Sequence, residues 1–335
     1  MSRIVINGAF RGQRVTGQQR YATEVASRLL VDPEVEELRP QGVFARSTLL
    51  VWIWVQLVLP ILAGNRVIVS MTSRAPVWRR CTVLVVHDLF VLNHPEWYSR
   101  RYIWTHAPLL RLQLRSAGTV VAVSEPVAQQ LAAYRTDRVA VAPNAPSAEF
   151  DSTKHDLPDD EAVRERELTA GSYLLAVGSR DPRKNLPRLL GAYGSLAADV
   201  RSRTPLLLVG GGSAIFRHEE LTVPDGVIDA EFVSDDHLRQ LYRHSRCVLL
   251  VSLDEGFGLP IVEAATAGAP ALLVSEIPVF RWICGDQARY VDPSSVHDIA
   301  AGLARELDGA PSSRLDHDRF TWEETAAAIT SASRG

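Results

Sequence analysis

The sequence has 335 residues, of which 46% are hydrophobic and 22% are charged, and its formal net charge is −3. This length exceeds that of a usual single hydrophobic core, so it indicates two domains of roughly 150 residues each. The composition is that of an ordinary globular protein, and the small negative charge excludes a general attraction to nucleic acid. We therefore expect no nucleic acid partner.

Two features bear on the location of the protein in the cell. No basic and apolar leader precedes the first strand-like run at Arg3, which predicts residence in the cytoplasm. The longest apolar stretch, Leu49 to Leu62, contains Gln56 and Pro60 and is too short to cross a bilayer.

Aromatic residues leave peripheral contact with the inner face of the plasma membrane open. Trp52 and Trp54 lie in the apolar stretch. A second aromatic segment is interleaved with arginines and contains Trp97, Tyr98, Arg100, Arg101, Tyr102, Trp104 and Arg111. Such a mixture is typical of helices that rest on a membrane surface. Two ordinary core-facing helices are the alternative interpretation.

The three cysteines, Cys81, Cys247 and Cys284, are an odd number without paired spacing. Cys81 and Cys247 each begin an apolar, strand-like run. We expect buried thiols in a reducing compartment.

The first half alternates strand-like and helical stretches, as βαβ units do. The strand-like runs are Arg3–Gly8, Val67–Met71, Thr82–His87, Thr119–Val123 and Arg138–Ala142. Thr16 and Gly17 open a helix that continues to Leu30, and Ser124 is a plausible helix N-cap. This pattern predicts one parallel sheet in an N-terminal Rossmann-like domain, residues 1–150.

A charged connection at 151–170 precedes a second alternating series, residues 171–318. Its strand-like runs are Leu174–Gly178, Pro205–Gly210, Val227–Val233, Val248–Leu253, Ala271–Ser275 and Arg289–Asp292, with helices that include Leu186–Leu196 and Asp236–Arg246. This is again a doubly wound α/β pattern. Thr321 to Glu324 has the spacing of a capping box and starts a last helix within 319–335.

The segment from Glu255 to Glu263 places two carboxylates around a glycine-rich turn. It follows an apolar run of strand length, and Pro260 fits the first turn of a helix. Gly256 and Gly258 permit a close approach of the backbone to a ligand. Loops at the carboxyl ends of parallel strands bind ligands, and the amides at the helix start favour an anion such as phosphate.

The two glutamates have different tasks available. Glu263 is expected in the first helical turn, where it can accept hydrogen bonds from a vicinal diol, as the ribose-binding acid does in dinucleotide folds. Glu255 can reach the sugar end of the same ligand. The alternative is that these acids only complement the helix dipole.

This segment resembles the Glu-x7-Glu motif of retaining GT-B glycosyltransferases of family 4, closest to bacterial mannosyltransferase-like and rhamnosyltransferase-like members. Other matching segments follow in the family's order: Ile6–Gly8, Thr16–Tyr21, Val86–Leu89, His94–Trp97, Val123–Glu125, Val141–Asn144, Val177–Asn185 and Phe320–Trp322. The resemblance implies a GT-B fold, in which two Rossmann-like domains with parallel sheets face each other across a cleft, and a last helix that crosses back to the N-terminal domain.

Transfer of a sugar from a nucleotide diphosphate requires cations near the leaving phosphates. Lys184 matches the family's phosphate-binding lysine, and Arg180 lies in the same loop. The match at Arg180 is poorer, because many relatives have arginine directly after the glycine, where this chain has Ser179. Arg183 is interpreted as a solvated surface charge.

The resemblance assigns further residues to the site. Those expected to bind the donor are Arg180, Lys184, Glu255, Gly256, Phe257, Gly258, Leu259, Glu263 and Gly17. Those expected on the acceptor side are Arg11, Thr16, Gly17 and His87, and the catalytic set is Glu255, His87 and Lys184. A plain helix-initiating glycine at 17 and a structural histidine at 87 are the alternatives. Trp282 stands where relatives often place glutamate, near the donor pocket.

No metal or other cofactor is expected. His87 and His94, and likewise His237 and His244, are seven residues apart, but no cysteine or acidic ligand set completes a zinc site. The run Asp316–Asp318 imitates the metal-binding motif of a different transferase fold. The loop Gly210–Ser213 lacks the lysine of a P-loop and is expected to line the nucleotide cleft.

The resemblance thus implies a metal-independent, retaining glycosyltransferase of polysaccharide biosynthesis. It would move a hexose of mannose or rhamnose type, for example from GDP-mannose, to a glycan or lipid-linked acceptor. Fold alone does not fix chemistry. A nucleotide-sugar epimerase or a phosphorylase on the same fold, and a non-catalytic sugar-binding module, therefore stay open.

Overall fold

The computed structural model describes residues 3–13, 16–135, 139–151, 160–211, 222–309, 315 and 319–334. The chain forms two compact units. Unit 1 comprises Met1–Pro95, Arg100–Ala145 and Phe320–Gly335, and unit 2 comprises Glu96–Ser99 and Pro146–Arg319.

Unit 1 is built on a parallel sheet. Its strands are β1 (Ile4–Asn7), β2 (Val35–Leu38), β3 (Val67–Ser70), β4 (Thr82–Val86), β5 (Thr119–Ala122) and β6 (Val139–Val141). Their order is β2-β1-β3-β4-β5-β6, so the direction of winding reverses between β1 and β3. The strand β2 was not predicted, because its sequence Val-Glu-Glu-Leu is polar and it pairs only at the edge, beside β1.

The helices of unit 1 surround this sheet. They are α1 (Gly17–Leu29), α2 (Thr48–Ile53), α3 (Leu59–Ala63), α4 (Phe90–Asn93), α5 (Arg100–Ser116) and α6 (Glu125–Leu131). The Ser124 hydroxyl accepts a hydrogen bond from the Val127 amide, so the predicted N-cap is confirmed. Trp54 and Val55, in the turn between α2 and α3, are buried against β1 and β3 residues Val5 and Ile68. No helix among the described residues is long and apolar enough to span a membrane.

Unit 2 contains a second parallel sheet. Its strands are β7 (Leu174–Val177), β8 (Leu206–Val209), β9 (Val227–Asp229), β10 (Cys247–Leu250), β11 (Leu272–Ser275) and β12 (Arg289–Val291). The order is β12-β11-β10-β7-β8-β9, which reverses between β7 and β10. All six strands were predicted from the apolar runs, and the doubly wound α/β fold class is confirmed.

Helices also flank the sheet of unit 2. They are α7 (Glu161–Arg164), α8 (Leu186–Gly194), α9 (Ala198–Arg203), α10 (Asp235–His244), α11 (Leu259–Thr266), α12 (Pro278–Cys284) and α13 (Val296–Asp308). Leu174, Leu249 and Leu273 from the strands pack with Tyr193 of α8 and Leu303 of α13 in one core. Part of the predicted connection, residues 152–159, lies outside the described residues, and the rest includes α7.

The C-terminal helix α14 (Trp322–Arg334) belongs to unit 1. Its start carries half of the predicted capping box, since the Glu324 amide donates to Thr321 Oγ1 at 3.2 Å. The Thr325 hydroxyl donates to the Pro143 carbonyl at 2.6 Å. Arg28 of α1 forms an ion pair with Glu323 at 2.9 Å. These contacts fasten α14 to α1 and to the end of β6.

The prediction of three buried thiols was wrong for one of them. Cys247 and Cys284 are buried, but Cys81 is exposed. Cys81 directly precedes β4, and the chain enters the core only at Thr82, which is 2% exposed.

Candidate functional site

The loops after β7 and β10 meet at the point where the strand order of unit 2 reverses. Ligands of open α/β sheets bind outside the carboxyl ends of the strands at such a point. The Leu253 amide donates to the Arg183 carbonyl at 2.7 Å and joins the two loops. Asn185 adds two hydrogen bonds from its side-chain nitrogen, to the Val251 carbonyl at 2.9 Å and to the Pro293 carbonyl at 2.7 Å.

Glu255 is the centre of this site. Lys184 Nζ donates to its Oε1 at 2.6 Å, and the Ser252 hydroxyl donates to the same oxygen at 2.8 Å. Arg183 Nη1 donates to its Oε2 at 2.5 Å. Both oxygens are therefore occupied by charged or polar donors, and the residue is only 5% exposed.

The surroundings of Glu255 keep it ionised. Burial by itself would raise the pKa of this carboxyl, but the charges of Arg183 and Lys184 and the hydrogen bonds from Lys184 and Ser252 outweigh burial. Together they lower the pKa from 4.5 to about 2. Glu255 therefore accepts hydrogen bonds at neutral pH and cannot donate a proton.

The interpretation of Arg183 as a solvated surface charge was wrong. Its side chain is 18% exposed and contacts Asp181 at 3.2 Å in addition to Glu255. The side chain of Asp181 is itself fully buried. The sequence offered one signal for the pairing of Arg183 with a carboxylate. Arg183 adjoins Lys184 in the loop after β7, and the loop after β10 contains Glu255. That pattern predicts charge pairing as readily as solvation.

Lys184 approaches the end of β7 closely. A Cβ on Gly178 would lie 3.0 Å from Lys184 Cε, so the glycine, with φ of +158°, makes room for the lysine stem. The sequence contains two lysines against 34 arginines. The compact ammonium group at this position is therefore not a consequence of the general composition, and it suits a single strongly held anion.

Helix α11 begins at the glycine turn. Its N-cap, Gly258, has φ of +95°, and Pro260 lies in the first turn as predicted. A Cβ on Gly258 would lie 2.8 Å from the Phe280 ring. Phe257 is 5% exposed, and its ring packs edge-on against Trp282 with centroids 6.0 Å apart. Trp282 therefore shapes the glycine turn through Phe257.

The predicted position of Glu263 in the first turn was wrong. Helix α11 starts at Leu259, and its first turn contains no acidic residue. Glu263 lies in the second turn and is 6% exposed. Because the helix begins one residue before Pro260, Glu263 is its fifth residue and lies outside the first turn. Glu263 still belongs to the helix that follows the switch-point strand β10.

Arg180 belongs to the same loop but not to the Glu255 network. Its guanidinium forms an ion pair with Asp229 at the end of β9, and its side chain is 38% exposed. Arg180, Lys184 and Ser252 line a cavity of about 40 Å³ at the carboxyl ends of β7 and β10. Ligand pockets usually measure roughly 300 to 1,000 Å³. A large ligand would thus lie over these loops and not inside the cavity.

In unit 1, the predicted acceptor-side residues follow β1. Gly17 begins α1, and Thr16 is its N-cap without a side-chain bond to the helix amides. The Thr16 hydroxyl instead donates to the Gln19 side chain. Arg11 forms an ion pair with Glu37 at 2.9 Å. The structure therefore directs Arg11 toward β2 at the edge of the sheet, away from the reversal between β1 and β3.

His87 follows β4 and is 9% exposed. Its Nε2 lies 2.9 Å from the Met71 carbonyl, which can only accept, so Nε2 carries the proton. Burial lowers the pKa of His87 to about 4, although the bond to Met71 opposes this shift. The imidazole is therefore neutral at pH 7, and only Nδ1 is left to accept a hydrogen bond from a ligand.

Among the residues that the structure describes, no group of three or more acidic, histidine or cysteine side chains could hold a metal ion. The predicted Asp316–Asp318 mimic lies outside these residues, as do Gly212 and Ser213 of the glycine-rich loop.

A comparison with protein families matches residues 159–317 to the family described as glycosyl transferases group 1. Two proteins of Escherichia coli are similar in sequence. O-antigen chain mannosyltransferase B is 29% identical over 235 residues, which cover 67% of this chain and 61% of the relative. The serotype-specific mannosyltransferase WbdA is 26% identical over 276 residues, which cover 77% of this chain and 34% of that longer protein.

Solved structures show the same fold. Sucrose-phosphate synthase from Thermosynechococcus elongatus superposes with a TM-score of 0.75 at 16% identity, covering 100% of this chain and 98% of that one. WaaG, a glycosyltransferase of lipopolysaccharide biosynthesis, gives a TM-score of 0.60 at 16% identity, covering 99% and 90%. The predicted GT-B fold class is confirmed by these likenesses.

Proposed function

Because residues 159–317 form a group 1 glycosyl transferase domain, we propose that this chain is a retaining, metal-independent glycosyltransferase. It transfers a hexose from a nucleotide diphosphate sugar to a glycan or lipid-linked acceptor, and mannose is the favoured sugar. The chain spans 61% and 34% of the two E. coli mannosyltransferases it matches. Their names support mannose over rhamnose as the sugar.

One observation carries this proposal. Lys184 and Glu255 meet at 2.6 Å where the strand order of unit 2 reverses, and Glu263 follows in the helix after the same loop. A cation for the phosphates and two carboxylates for hydroxyl groups are the groups that a nucleotide diphosphate sugar needs. A sugar-binding module without a nucleotide has no use for a lysine held in this loop.

The proposed reaction breaks the bond between the anomeric carbon and a diphosphate oxygen. Negative charge then builds on the diphosphate, and Lys184 stabilises it, with Arg180 as the second cation. The acceptor hydroxyl attacks from the leaving-group face, and its proton passes to the departing diphosphate. No protein nucleophile is required, and the anomeric configuration is retained.

Glu255 has two tasks in this scheme. It is ionised at neutral pH, so it accepts hydrogen bonds from sugar hydroxyls and holds Lys184 in place. Donor phosphates would compete with Glu255 for the lysine, while Arg183 and Ser252 keep the carboxylate in position. Glu263 would bind the ribose diol, and Gly256 to Leu259 would lie along the donor.

The residues of unit 1 complete the proposal. Gly17 would offer the amides at the start of α1 to the donor phosphates, and Thr16, Arg11 and His87 would lie toward the acceptor. His87 would accept a hydrogen bond through Nδ1, because its Nε2 is bound to Met71. The pair between Arg11 and Glu37 makes Arg11 the weakest member of this set.

The test is a transfer assay with GDP-mannose, UDP-glucose and TDP-rhamnose, each with a panel of glycan and lipid-linked acceptors and with EDTA. The proposal expects one donor to be used, EDTA to have no effect, and proton NMR of the first product to show the donor's anomeric configuration. Glu255→Gln should mainly reduce turnover. Inverted product or loss of activity with EDTA would contradict the mechanism.

The same assay separates the rival functions. A donor converted without acceptor would indicate an epimerase, and phosphate-dependent release of a sugar phosphate would indicate a phosphorylase. Binding of a free sugar without nucleotide would indicate a sugar-binding module. Each of these outcomes would replace the transferase assignment.

Peripheral membrane contact is a second part of the proposal, together with the cytoplasmic location. Leu49 of α2, Leu57 of the turn that follows and Ile61 of α3 are 69%, 56% and 74% exposed, and they are spaced eight and four residues apart. Such a row of apolar side chains on a helical segment is typical of interfacial helices. Flotation with anionic liposomes tests this contact, and the triple replacement of these residues by serine should abolish it. Equal binding by the variant would contradict it.

A further inference from the structure

The loop after β3 lies at the second reversal point of the molecule, between β1 and β3 of unit 1. It runs from Met71 to Val77 and was not singled out from the sequence, because it contains no glycine motif. Parallel sheets bind ligands at such a position. The loop is therefore a candidate ligand site that is separate from the Glu255 network of unit 2.

Side chains from four other elements fix this loop. Asn7 Nδ2 donates to the Arg74 carbonyl at 2.6 Å and to Ser70 Oγ at 3.1 Å. Gln113 of α5 donates to the Ala75 carbonyl at 3.0 Å, and Gln113 is 1% exposed. Further bonds to the loop come from Gln56 and His87. So many side-chain bonds to one loop hold its backbone in a single conformation.

The fixed loop presents the side chain of Arg74. Within the part of the chain that the structure describes, the Arg74 guanidinium has no hydrogen-bond acceptor and no carboxylate partner, although burial lowers its pKa. Other arginines of unit 1 form ion pairs, as Arg11 does with Glu37 and Arg66 with Glu36. A half-buried cation without a partner is costly unless a ligand supplies the anion.

Two aromatic side chains of α5, Tyr102 and His106, lie within electrostatic reach of Arg74. The ring of Tyr102 stacks on that of His106 in α5, with centroids 3.8 Å apart. Burial and the nearby carboxylate of Asp88 raise the pKa of Tyr102 to about 12, while the Arg74 charge lowers it. Tyr102 therefore keeps its hydroxyl proton and lies within electrostatic reach of both Arg74 and Asp88.

We propose that Arg74, with Tyr102 and His106 beside it, forms a phosphate subsite for the acceptor substrate. The acceptor class is a phosphate ester of a sugar, either a soluble sugar phosphate or a lipid-linked one. The planar guanidinium binds two phosphate oxygens, and a tetrahedral phosphate can also accept a hydrogen bond from the Tyr102 hydroxyl. Asp88 accepts hydrogen bonds from hydroxyls of the same sugar.

This inference rests on the proposed function for its assignment to the acceptor, but the binding site can be tested alone. Mannose 6-phosphate and mannose are titrated into wild-type protein and Arg74→Gln by calorimetry. The expected result is binding of the phosphate ester only, weakened about tenfold or more in the variant, as for loss of a charged hydrogen bond. Arg74→Lys should recover part of the affinity. Arg39→Gln, at an exposed arginine of the same unit, is the matched control.

Transfer kinetics then decide the role of the subsite. The acceptor arms are mannose 6-phosphate, a short-chain polyprenyl diphosphate sugar, and the unphosphorylated counterpart of each. Arg74→Gln should raise the KM of the arm that is the true acceptor, and leave the donor KM within about twofold. The acceptor whose KM rises shows whether the phosphate ester that binds Arg74 is soluble or lipid-linked.

Two results would contradict the proposed phosphate subsite. One is equal binding of the phosphate ester by wild type and Arg74→Gln, and the other is a change in donor KM in place of acceptor KM. If wild type turns over no donor while Lys184→Ala binds nucleotides normally, the proposed function fails instead. The calorimetric comparison still decides whether Arg74 binds phosphate.

Discussion

The two reversal points of the molecule are held together by different chemistry. In unit 2, Lys184 and Arg183 pair with Glu255 and Arg183 also pairs with Asp181, so two cations face two carboxylates. In unit 1, uncharged amide side chains, Asn7 and Gln113, hold the loop after β3. The charge of Arg74 on that loop has no matching carboxylate among the described residues.

This difference indicates how each site would respond to an anion. In unit 2, a phosphate must compete with Glu255 for Lys184, so binding rearranges an existing ion pair. In unit 1, a phosphate would meet a half-buried cation that is held by a rigid loop. Preorganised cations bind with less reorganisation than paired ones. The predictions that follow are ordered from the largest expected effect to the smallest.

Replacement of Lys184 by alanine should produce the largest effect. It removes the cation proposed for the leaving phosphates and leaves the buried Glu255 with Arg183 as its one charged partner among the described residues. Loss of one donor to a developing negative charge usually lowers kcat by about 100-fold to 1,000-fold. Steady-state kinetics with saturating donor measure this change.

The matched control for this variant is Arg203→Ala. Arg203 lies in α9 of the same unit, and its side chain is 72% exposed in a pair with Asp199. Its kcat should stay within about twofold of wild type, because exposed ion pairs contribute little. If the Lys184→Ala enzyme were as active as the control, the assignment of the donor site to unit 2 would be wrong.

Glu263→Gln should weaken nucleotide binding while the fold is retained. The amide has the shape of the carboxylate but lacks the charge that strengthens hydrogen bonds to a ribose diol. Loss of a charged hydrogen bond costs about 1.5 to 3 kcal/mol, so the dissociation constant should rise about 10-fold to 100-fold. Calorimetry with the nucleoside diphosphate measures it, and an unchanged affinity would exclude Glu263 from the donor site.

Acid should destabilise unit 1 before unit 2. His87 has a pKa of about 4 in the folded protein against 6.5 for the free side chain, so the unfolded chain binds its proton first. The stability that the neutral histidine contributes is lost as the pH falls from 6.5 toward 4. At pH 5 this costs about 2 kcal/mol. The lowered pKa of Glu255 acts in the same direction but at lower pH, because its contribution to stability is lost only below pH 4.5.

Hydrogen exchange at pH 7 and pH 5 can compare the two units. Peptides from β3 and β4 should lose protection at pH 5, whereas peptides from β7 and β10 should not. His297→Gln, at an exposed histidine of unit 2, should leave this difference unchanged. Earlier loss of protection in unit 2 would show that His87 does not govern the response to acid.

The smallest effect is expected for Asn7→Ala. This variant removes the hydrogen bonds to Ser70 and to the Arg74 carbonyl and should lower the free energy of unfolding by about 1 kcal/mol. Chemical denaturation measures the change. If the loop orients Arg74, affinity for mannose 6-phosphate should fall as well. Unchanged affinity would mean that Asn7 contributes to stability alone.

The fold could be predicted further than the site. Apolar runs such as Cys247–Leu250 are buried on all sides, so composition alone marks them as strands. The edge strand β2 escaped prediction because its glutamates are partly solvated. Arg183 was misjudged because its partner, Glu255, lies 72 residues away, and pairing across that distance depends on the sheet order.

The same limit explains Arg74 and Glu263. Nothing local marks Arg74, since the bonds that fix its loop come from Asn7 and Gln113, which are 67 and 38 or 40 residues distant. Glu263 was placed in the first turn but lies at the beginning of the second, because the sequence locates the start of the helix only to within a residue. Lys184 and Glu255, by contrast, followed from the chemistry of their loops and from family motifs.

The most direct measurement for the central claim is calorimetric titration of the protein with GDP, UDP, TDP and ADP in the presence of EDTA, using wild type and Lys184→Ala. The account predicts that one nucleoside diphosphate binds wild type with a stoichiometry of one, without metal, and that Lys184→Ala loses most of this affinity. No binding by wild type, or equal binding by both proteins, would contradict a donor site at Lys184 and Glu255.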